Sequence, residues 1–300
     1  MCRLFGYVTK SPCAVADLLG EEGLHAFTSL TTVHSDGWGM AWHTPEGTRT
    51  ESSPRSADLD ESYRRLVEVP LSHAGLVHLR WATGGIDVRP ENTHPFLSDD
   101  AAFAHNGHIT PIADLEALLT AESRARLGGD TDSERYFQFV HQSVEQCGDE
   151  AEGVSRALAA LVKRFPRCSL NALVLTPTHM FAIHINSRAD SPLRALRQLF
   201  DDEGDIPPRH TTEYFAMDYR ETSRGLEVVS SGLGQPGWMP VPADTAVMVD
   251  LPPGRSPTWT PSLGSATTRC ETAYGRLLSI CCTSAARLVR GGARLLRTRW

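Results

Sequence analysis

The second residue of the chain, Cys2, could act as a nucleophile that supplies its own base. It follows Met1 directly, and a short apolar run typical of a strand comes after it. Removal of Met1 would leave Cys2 with a thiol and a free α-amino group, whose pKa of about 7.7–8.0 suits a general base. The alternative is a small buried hydrophobe in an edge strand, which is common for free cysteines.

Clusters of polar residues lie where predicted strands end, and loops of this kind often carry binding and catalytic groups. The pair Asn106-Gly107 is the strongest turn signal among them. An asparagine amide beside a turn N–H could form an oxyanion hole for acyl transfer, whereas a simple hairpin turn is the alternative. The clusters are SDGWG (35–39), HLRWATGG (78–85), NTHPF (92–96), AHNGHI (104–109) and GDTDSE (129–134).

Two charged residues in these clusters could bind the charged groups of a small substrate. The planar guanidinium of Arg80 could hold a carboxylate through two hydrogen bonds, and the alternative is a structural ion pair. Asp132 lies at the start of a predicted helix, where it could either cap the helix or receive an ammonium group. The residue types alone leave both alternatives open at each position.

Three histidines in the same clusters, His94, His105 and His108, raise the question of a metal site. The His105-x-x-His108 spacing would suit a metal ion, but no further cysteine or carboxylate falls at close, motif-like spacing. We therefore expect no metal, and we interpret these histidines as hydrogen-bonded residues of loops or strands.

The composition is that of a soluble globular protein with a sizeable core, with 41% hydrophobic and 22% charged residues in a chain of 300. The formal net charge of −7 argues against nucleic acid as a partner. The charge is unevenly spread. Eight arginines and one glutamate give the segment from Gly254 onward a charge of +7, which leaves −14 for the rest.

The sequence shows neither a membrane span nor a secretory signal. No stretch is long and apolar enough to cross a bilayer, and Arg3 is followed by a short strand-like run rather than an apolar signal core. The seven cysteines form no C-x-x-C pair, which indicates free thiols in a reducing compartment. We therefore expect a cytoplasmic protein.

Hydrophobic periodicity predicts strands in adjacent groups with helices between the groups, and this favours layered sheets covered by helices. One helix is predicted after a candidate cap at Asp132 or Ser133, and another from an apolar stripe within 154–165. Thr176-Pro177-Thr178 predicts a hairpin turn. The predicted strands are 3–9, 37–43, 74–82, 101–106, 169–176, 180–186, 213–219, 226–231 and 245–250.

The last part of the chain differs from the rest. Residues 252–265 are rich in Pro, Gly and Ser, which is typical of a linker, and a basic, cysteine-containing segment follows. We expect one domain over 2–251, followed by a poorly ordered linker and tail over 252–300. The alternative for the tail is a short basic amphipathic helix within 287–299 that binds a membrane surface or an acidic partner.

In their order along the chain, the motifs resemble those of class II glutamine amidotransferase domains, which belong to the N-terminal-nucleophile hydrolase superfamily. The resemblance runs from Cys2 to about Leu251 and is strongest to stand-alone members, a branch that includes ergothioneine-pathway amidohydrolases. It rests on Cys2-Arg3, DGWG (36–39), RWAT (80–83), NTHPF (92–96), HNG (105–107), DSE (132–134) and WMPVP (238–242).

The resemblance implies an α+β fold, the four-layer αββα sandwich. It also implies Cys2 as the nucleophile, with the Asn106 side chain and the Gly107 backbone N–H stabilising the oxyanion. Arg80 would bind the α-carboxylate of a glutamyl substrate and Asp132 its α-ammonium. Further residues expected to line the substrate pocket are Trp81, Thr83 and His94. No metal and no organic cofactor would be needed.

Several functions fit this resemblance. The first is a glutamine amidohydrolase that releases ammonia through a glutamyl-thioester. The second acts on another γ-glutamyl amide, as in ergothioneine-type biosynthesis. The third supplies ammonia to a separately encoded synthase, because no synthase domain is recognisable in this chain. A fourth, a non-catalytic glutamine sensor, is disfavoured by the presence of Cys2, Asn106 and Gly107, since a sensor needs no nucleophile.

Overall fold

Two antiparallel sheets, each of seven strands, form the centre of this protein. The computed structural model describes residues 1–82, 85–230, 233 and 236–252, and the backbone of 268–272 and 275–280. The strands are β1 (Arg3–Cys13), β2 (Trp38–Thr44), β3 (Gly47–Ser53), β4 (Ser72–Leu79), β5 (Phe96–Ser98), β6 (Ala101–Asn106), β7 (Asn171–Leu175), β8 (His179–His184), β9 (Met217–Glu221), β10 (Gly225–Ser230), β11 (Met239–Pro240), β12 (Thr245–Asp250), β13 (Thr268–Thr272) and β14 (Gly275–Ile280). The helices are α1 (Val15–Ser29), α2 (Glu61–Val67), α3 (Ile112–Glu116), α4 (Ala121–Ala125), α5 (Asp132–Cys147), α6 (Glu150–Arg164) and α7 (Leu193–Arg197).

The first sheet has the strand order β11-β9-β10-β1-β4-β2-β3, and the second has the order β13-β14-β12-β8-β7-β6-β5. All the strand pairs that the structure describes are antiparallel. β1 therefore lies in the middle of the first sheet, between β10 and β4, and β6 lies near one edge of the second.

Side chains alternate between the two faces of each strand, so each sheet presents one face to the other sheet and one to helices. In β1, Leu4 and Val8 belong to the apolar layer between the sheets, whereas Phe5 and Tyr7 pack beneath α1 and α2. On the far side, α5 and α6 cover the outer face of the second sheet. These four layers confirm the predicted αββα sandwich.

The nine predicted strands are all present, as β1, β2, β4, β6–β10 and β12. β9 begins later than predicted, at Met217, because 213–216 form a turn in which the Ala216 N–H donates to the Glu213 carbonyl at 2.8 Å. β3 escapes prediction because its sequence, GTRTESS, is polar. That composition suits its position at the edge of the first sheet.

The two predicted helices are confirmed as α5 and α6, but the predicted cap of α5 is wrong. The cap is Thr131, whose Oγ1 accepts a hydrogen bond from the Glu134 N–H at 3.1 Å. Asp132 is thus the first residue inside the helix. α1 was not predicted because Gly20, at φ 71°, interrupts its apolar period. Among the described helices, none combines the length and apolar character needed to cross a bilayer.

The turn predicted at Thr176-Pro177-Thr178 is confirmed by the Thr176 N–H, which donates to the His179 carbonyl at 2.8 Å between β7 and β8. Beyond Leu251, the backbones of β13 and β14 pair with each other, and β14 pairs with β12. Neither strand was predicted. The remainder of the tail lies outside the described residues, so the domain boundary and the character of the tail stay predictions.

Candidate active site

Cys2 lies one residue before β1, where that strand reaches the end of β6 in the other sheet. Its side chain is buried. Its backbone N–H donates to Oδ1 of Asn106 at 2.9 Å, which joins the start of the first sheet's central strand to the last residue of β6. The ladder between β1 and β4 ends at the pair Arg3–Leu79, so Arg80 is the next residue opposite Cys2. Two predicted site residues thus flank Cys2.

The pKa of the Cys2 thiol is lowered, which favours its ionised form. Burial alone would raise its pKa, but the ammonium at the chain end, the His78 side chain and the Trp81 backbone together lower it to about 6. The Cys2 Sγ lies 4.0 Å from the Trp81 carbonyl oxygen, and the Met1 ammonium donates to that same oxygen. A buried thiol with a lowered pKa is a reactive nucleophile near neutral pH.

The amide of Asn106 is suited to stabilise an oxyanion. Its oxygen is fixed by Cys2, while its Nδ2 is buried with no hydrogen-bond partner among the described residues. At Gly107, an added Cβ would lie 2.2 Å from the Ser169 carbonyl oxygen and 2.4 Å from His105 Nε2, so this position requires glycine. The chain does not turn into a hairpin here but continues to α3, so that alternative is wrong.

Arg80 is a buried cation whose partners are backbone carbonyls. Its Nη1 donates to the Asp36 carbonyl at 3.3 Å and its Nη2 to the Asp87 carbonyl at 3.2 Å. The ion pairs found within the described residues do not include it, so the structural ion pair considered above is not its role there. Burial lowers its pKa, and the neighbouring Cys2 and Asp36 oppose that shift. Its role in binding a substrate carboxylate stays a prediction.

Asp132 is buried at the first turn of α5, where the helix dipole favours a negative charge. Its Oδ2 accepts a hydrogen bond from the Ile109 N–H at 2.6 Å, which ties the helix start to the loop that follows Asn106. His108 Nδ1 lies 3.8 Å from the same oxygen. Asp132 and the loop that follows Asn106 are therefore held together.

Asn92 connects the loops that carry Arg80 and Asp132. Its Nδ2 donates to the Asp87 carbonyl at 3.1 Å, the same carbonyl that receives Arg80 Nη2. Its Oδ1 accepts from the Asp130 N–H at 2.9 Å, just before α5. The sequence placed Asn92 in the motif NTHPF (92–96) but did not predict that it bridges these two loops.

A buried polar cluster lies next to Cys2. Arg3 Nη1 donates to the Cys2 carbonyl at 2.9 Å, and its Nη2 lies 2.9 Å from Nε2 of His210. His210 Nε2 lies 3.0 Å from His34 Nε2, and the Arg3 guanidinium carbon lies 4.0 Å above the Tyr214 ring. Sequence analysis missed both histidines and the tyrosine, because they come from separate loops with no local motif.

Of the three other residues predicted to line the pocket, the structure describes two. Trp81 is half-buried, with its ring 6.1 Å from that of His34 and 6.4 Å from that of Tyr214. His94 is buried, and its ring stacks on that of His78 at 4.2 Å. Thr83 lies outside the described residues. The substrate contacts of Trp81, Thr83 and His94 stay predictions.

The histidines of the motifs do not converge as metal ligands. His105 lies 2.9 Å from the Ser133 hydroxyl through Nδ1 and 2.9 Å from the Ser169 carbonyl through Nε2, and burial lowers its pKa to about 4. One cluster with ligand-like spacing does occur among the described residues, remote from these loops, at Asp99, His141 and Glu145. The Arg126 guanidinium already bonds to His141 and Glu145 there, which disfavours a second cation.

The family model described as glutamine amidotransferases class-II matches residues 1–199. The chain belongs to the class II glutamine amidotransferases. It is 29% identical over 197 residues to YafJ of Escherichia coli (strain K12), named as a candidate glutamine amidotransferase, and this covers 63% of the chain and 64% of YafJ. It is 36% identical over 103 residues to the isomerizing glutamine–fructose-6-phosphate aminotransferase of Brucella abortus, covering 34% of the chain and 17% of that enzyme. The chain thus spans less than two thirds of either relative.

Solved structures share the fold of this class II glutamine amidotransferase chain. A glutamine aminotransferase class-II domain protein from Silicibacter pomeroyi superposes with a TM-score of 0.54 at 17% identity, covering 83% of this chain and 95% of that one. An allosteric regulatory enzyme of purine biosynthesis gives 0.55 at 16% identity, covering 83% of this chain and 47% of that one. At such identities the likeness supports the fold alone.

Proposed function

We propose that this chain hydrolyses the side-chain amide of glutamine to glutamate and ammonia, with Cys2 as the nucleophile after loss of Met1. The observation that carries the proposal is the contact between the Cys2 nitrogen and Asn106 Oδ1 at 2.9 Å. This contact brings together in one buried place the Cys2 thiol, the Cys2 nitrogen that becomes the chain-end amine once Met1 is lost, and an amide donor with no partner among the described residues.

In the first half of the reaction, the α-amino group of Cys2 takes the thiol proton, and Sγ attacks the carbonyl carbon of the substrate amide. The carbonyl electron pair moves to oxygen, and the oxyanion accepts hydrogen bonds from Asn106 Nδ2 and the Gly107 N–H. The C–N bond then breaks, the nitrogen takes the proton from the α-ammonium, and ammonia leaves. A γ-glutamyl thioester remains on Cys2.

In the second half, water replaces ammonia. The α-amino group accepts a proton from water as its oxygen attacks the thioester carbon, and the same two donors stabilise the second oxyanion. The C–S bond breaks, glutamate leaves, and the sulfur regains its proton from the α-ammonium. One amide and one water thus give one carboxylic acid and one ammonia.

The substrate is recognised through its charges. A free amino acid offers one carboxylate and one ammonium, which we assign to Arg80 and Asp132. Because a site built around these charges would leave them unpaired with an analogue that lacks them, it discriminates strongly. Thr83, Trp81 and His94 complete the proposed pocket wall. This assignment rests on the buried, carbonyl-bound Arg80 and on the buried Asp132.

A second candidate keeps the chemistry and changes the leaving group to a larger amine, as in ergothioneine-type γ-glutamyl amides. One observation favours it. The Met1 side chain packs against an apolar cluster of Val33, Leu196, Tyr214 and Phe215 beside the nucleophile. If Met1 is removed, this cluster faces the reacting amide and can hold an apolar leaving group. Comparing kcat/KM for glutamine with that for a γ-glutamyl arylamide separates the two candidates.

The proposal extends to the fate of the ammonia, which a separate synthase would consume. A separately encoded synthase that consumes it would stimulate the activity when added to the purified chain. The expected cytoplasmic location likewise stays a prediction. Free thiols at Cys2, Cys13, Cys147 and Cys168, which the structure describes, are consistent with it.

The proposal is tested by intact-mass analysis before and after reaction with a glutamine-like diazo-ketone that alkylates nucleophilic thiols. The expected result is loss of Met1 and a single adduct mapped to Cys2. The variant Cys13→Ala is the matched control, since Cys13 is another free thiol, at the far end of the strand that follows Cys2, and it must give the same adduct. A retained Met1 with no adduct would overturn the proposal.

A further inference from the structure

The proposed mechanism leaves the buried imidazole of His78, beside Cys2, without a role. His78 lies on β4 with no exposed surface, and neither of its ring nitrogens has a hydrogen-bond partner among the described residues. An unsatisfied buried imidazole is costly, so its position calls for a physical reason. The motif HLRWATGG contains it, yet sequence analysis assigned it no role.

The strand register places His78 next to Cys2. His78 pairs with Leu4 of β1 and with Gly39 of β2, and paired residues of antiparallel strands point to the same face. Cys2 lies two residues before Leu4, so His78 and Cys2 are diagonal neighbours on the inner face of the sheet. The Cys2 thiol is thus a polar group within reach of the His78 ring, and His78 helps to lower the pKa of that thiol.

A second layer fixes the imidazole in place. At Gly39, an added Cβ would lie 2.0 Å from the His94 carbonyl oxygen and 2.6 Å from Pro95 Cδ, so the NTHPF segment crosses β2 where there is no side chain. This crossing inserts His94, whose ring stacks on His78 with centroids 4.2 Å apart and planes 28° apart. His94 also packs on Phe96 at 4.6 Å. The plane of the His78 ring is thereby restricted.

His94 stays neutral in this stack. Burial lowers its pKa well below the usual value, with His78 and His105 adding to the effect. It therefore supplies packing and not charge. The other groups that act on the Cys2 thiol are the chain-end ammonium and the Trp81 backbone, and the thiol in turn acts on Arg3, Arg80 and Tyr214.

We infer that His78 is a positioning residue for the Cys2 nucleophile: once the thiol is ionised, the unpartnered ring N–H of His78 donates to Sγ and holds the thiolate in place for attack, while His94 fixes the ring. The inference rests on the proposed role of Cys2. The proton of the thiol still goes to the α-amino group, and His78 donates a hydrogen bond without losing its own proton. The α-amino group is therefore left to serve as the base for both halves of the reaction.

The test measures the rate of Cys2 alkylation by iodoacetamide against pH, using intact mass on the full chain. In the unaltered protein we expect the rate to have its midpoint below the ordinary thiol pKa of about 8.5, because the chain-end ammonium and His78 both lower the pKa of Cys2. His78→Leu keeps the volume and removes the donor, so we expect the midpoint to rise by about one pH unit and the rate well below the parent's midpoint to fall about tenfold. His78→Gln, which restores a donor, is expected to bring the midpoint back. An unchanged midpoint in folded His78→Leu would overturn the inference.

His73→Gln is the matched control, because His73 lies on the same strand but bonds to the Thr9 carbonyl, away from the site. It should leave the midpoint and glutamine turnover unchanged. If His78→Leu does not fold, ring-nitrogen NMR of the unaltered protein decides instead. Alkylating Cys2 must then shift the His78 resonance and leave that of His73 in place, and an unmoved His78 resonance contradicts the inference.

This alkylation test is independent of glutamine turnover. If the unaltered protein releases no ammonia from glutamine, the proposed function fails, while the thiol profile still reports on His78. If it does release ammonia, His78→Leu is expected to lower kcat about tenfold at a pH well below the parent's thiol midpoint and leave KM within about twofold, because the substrate-binding groups are untouched. A change confined to KM would contradict the inference.

Discussion

The backbone nitrogen of Cys2 and the side-chain oxygen of Asn106 are 2.9 Å apart, although 104 positions separate them in sequence. Cys2 precedes the central strand of one sheet and Asn106 ends a strand of the other. The site is therefore formed by the packing of the two sheets. Substitutions that alter the apolar layer between the sheets should therefore change the position of Cys2 relative to Asn106.

Replacing Asn106 with aspartate should separate the two functions of this amide. The carboxylate in Asn106→Asp would keep an oxygen for the Cys2 N–H but lose the Nδ2 donor and add a negative charge. We expect kcat for glutamine hydrolysis to fall about 10²–10³-fold, as for removal of one oxyanion-hole donor. Steady-state ammonia release measures this, and a kcat within about threefold of the parent would mean that the donor lies outside the reaction.

Replacing Arg80 with lysine should weaken recognition of the substrate carboxylate. Lysine keeps the charge but loses the planar fork and its two carbonyl contacts, so it cannot hold a carboxylate bidentately. We expect KM for glutamine to rise about tenfold or more. The control substrate is the same amide without its α-carboxylate, for which KM should hardly change. Equal changes for both substrates would contradict this role.

His179 should make stability depend on pH on the alkaline side. Burial opposes its charged form, but Asp250 and Glu150 outweigh burial and raise its pKa to about 9. Glu150 lies 2.6 Å from Nδ1 and Asp250 lies 3.3 Å from Nε2, which joins α6, β8 and β12. Because the folded pKa is above the unfolded value of about 6.5, the stabilisation is complete below pH 6.5 and disappears as pH rises through 9.

The measurement is Tm against pH for the parent and for His179→Gln. The difference between the two should be largest near pH 6 and should shrink above pH 9. It should also shrink in acid, where the carboxylates protonate, because His179 and Thr176 lower the pKa of Glu150 despite its burial. A difference that stays constant from pH 6 to pH 10 would show that the ion pair contributes nothing to stability.

Much of this architecture could be predicted from local patterns. The apolar runs located the nine strands because buried strands carry dense β-branched and aliphatic side chains, and the motif order identified the family. The polar edge strand β3 could not be located in this way, since its residues are largely exposed and its stability comes from pairing with β2.

Some residues of the candidate site could likewise be predicted from local motifs, and others could not. Cys2, Arg80, Asn106, Gly107 and Asp132 lie in motifs, and the structure brings Arg80 opposite Cys2 and ties Asp132 to the Asn106 loop. The roles of His34, His210 and His78 could not be predicted, because each depends on a neighbour distant in sequence. A lone histidine in an apolar strand carries no signal of what lies across the sheet.

In the proposed function, Cys2 attacks the substrate amide and other residues bind the substrate. The most direct test is Cys2→Ala in the full chain, with ammonia release and calorimetric binding of glutamine measured on the same sample. We expect no ammonia release above background, together with a Kd for glutamine within a few-fold of that of the parent. Turnover at the parent's rate in Cys2→Ala would contradict the proposed function.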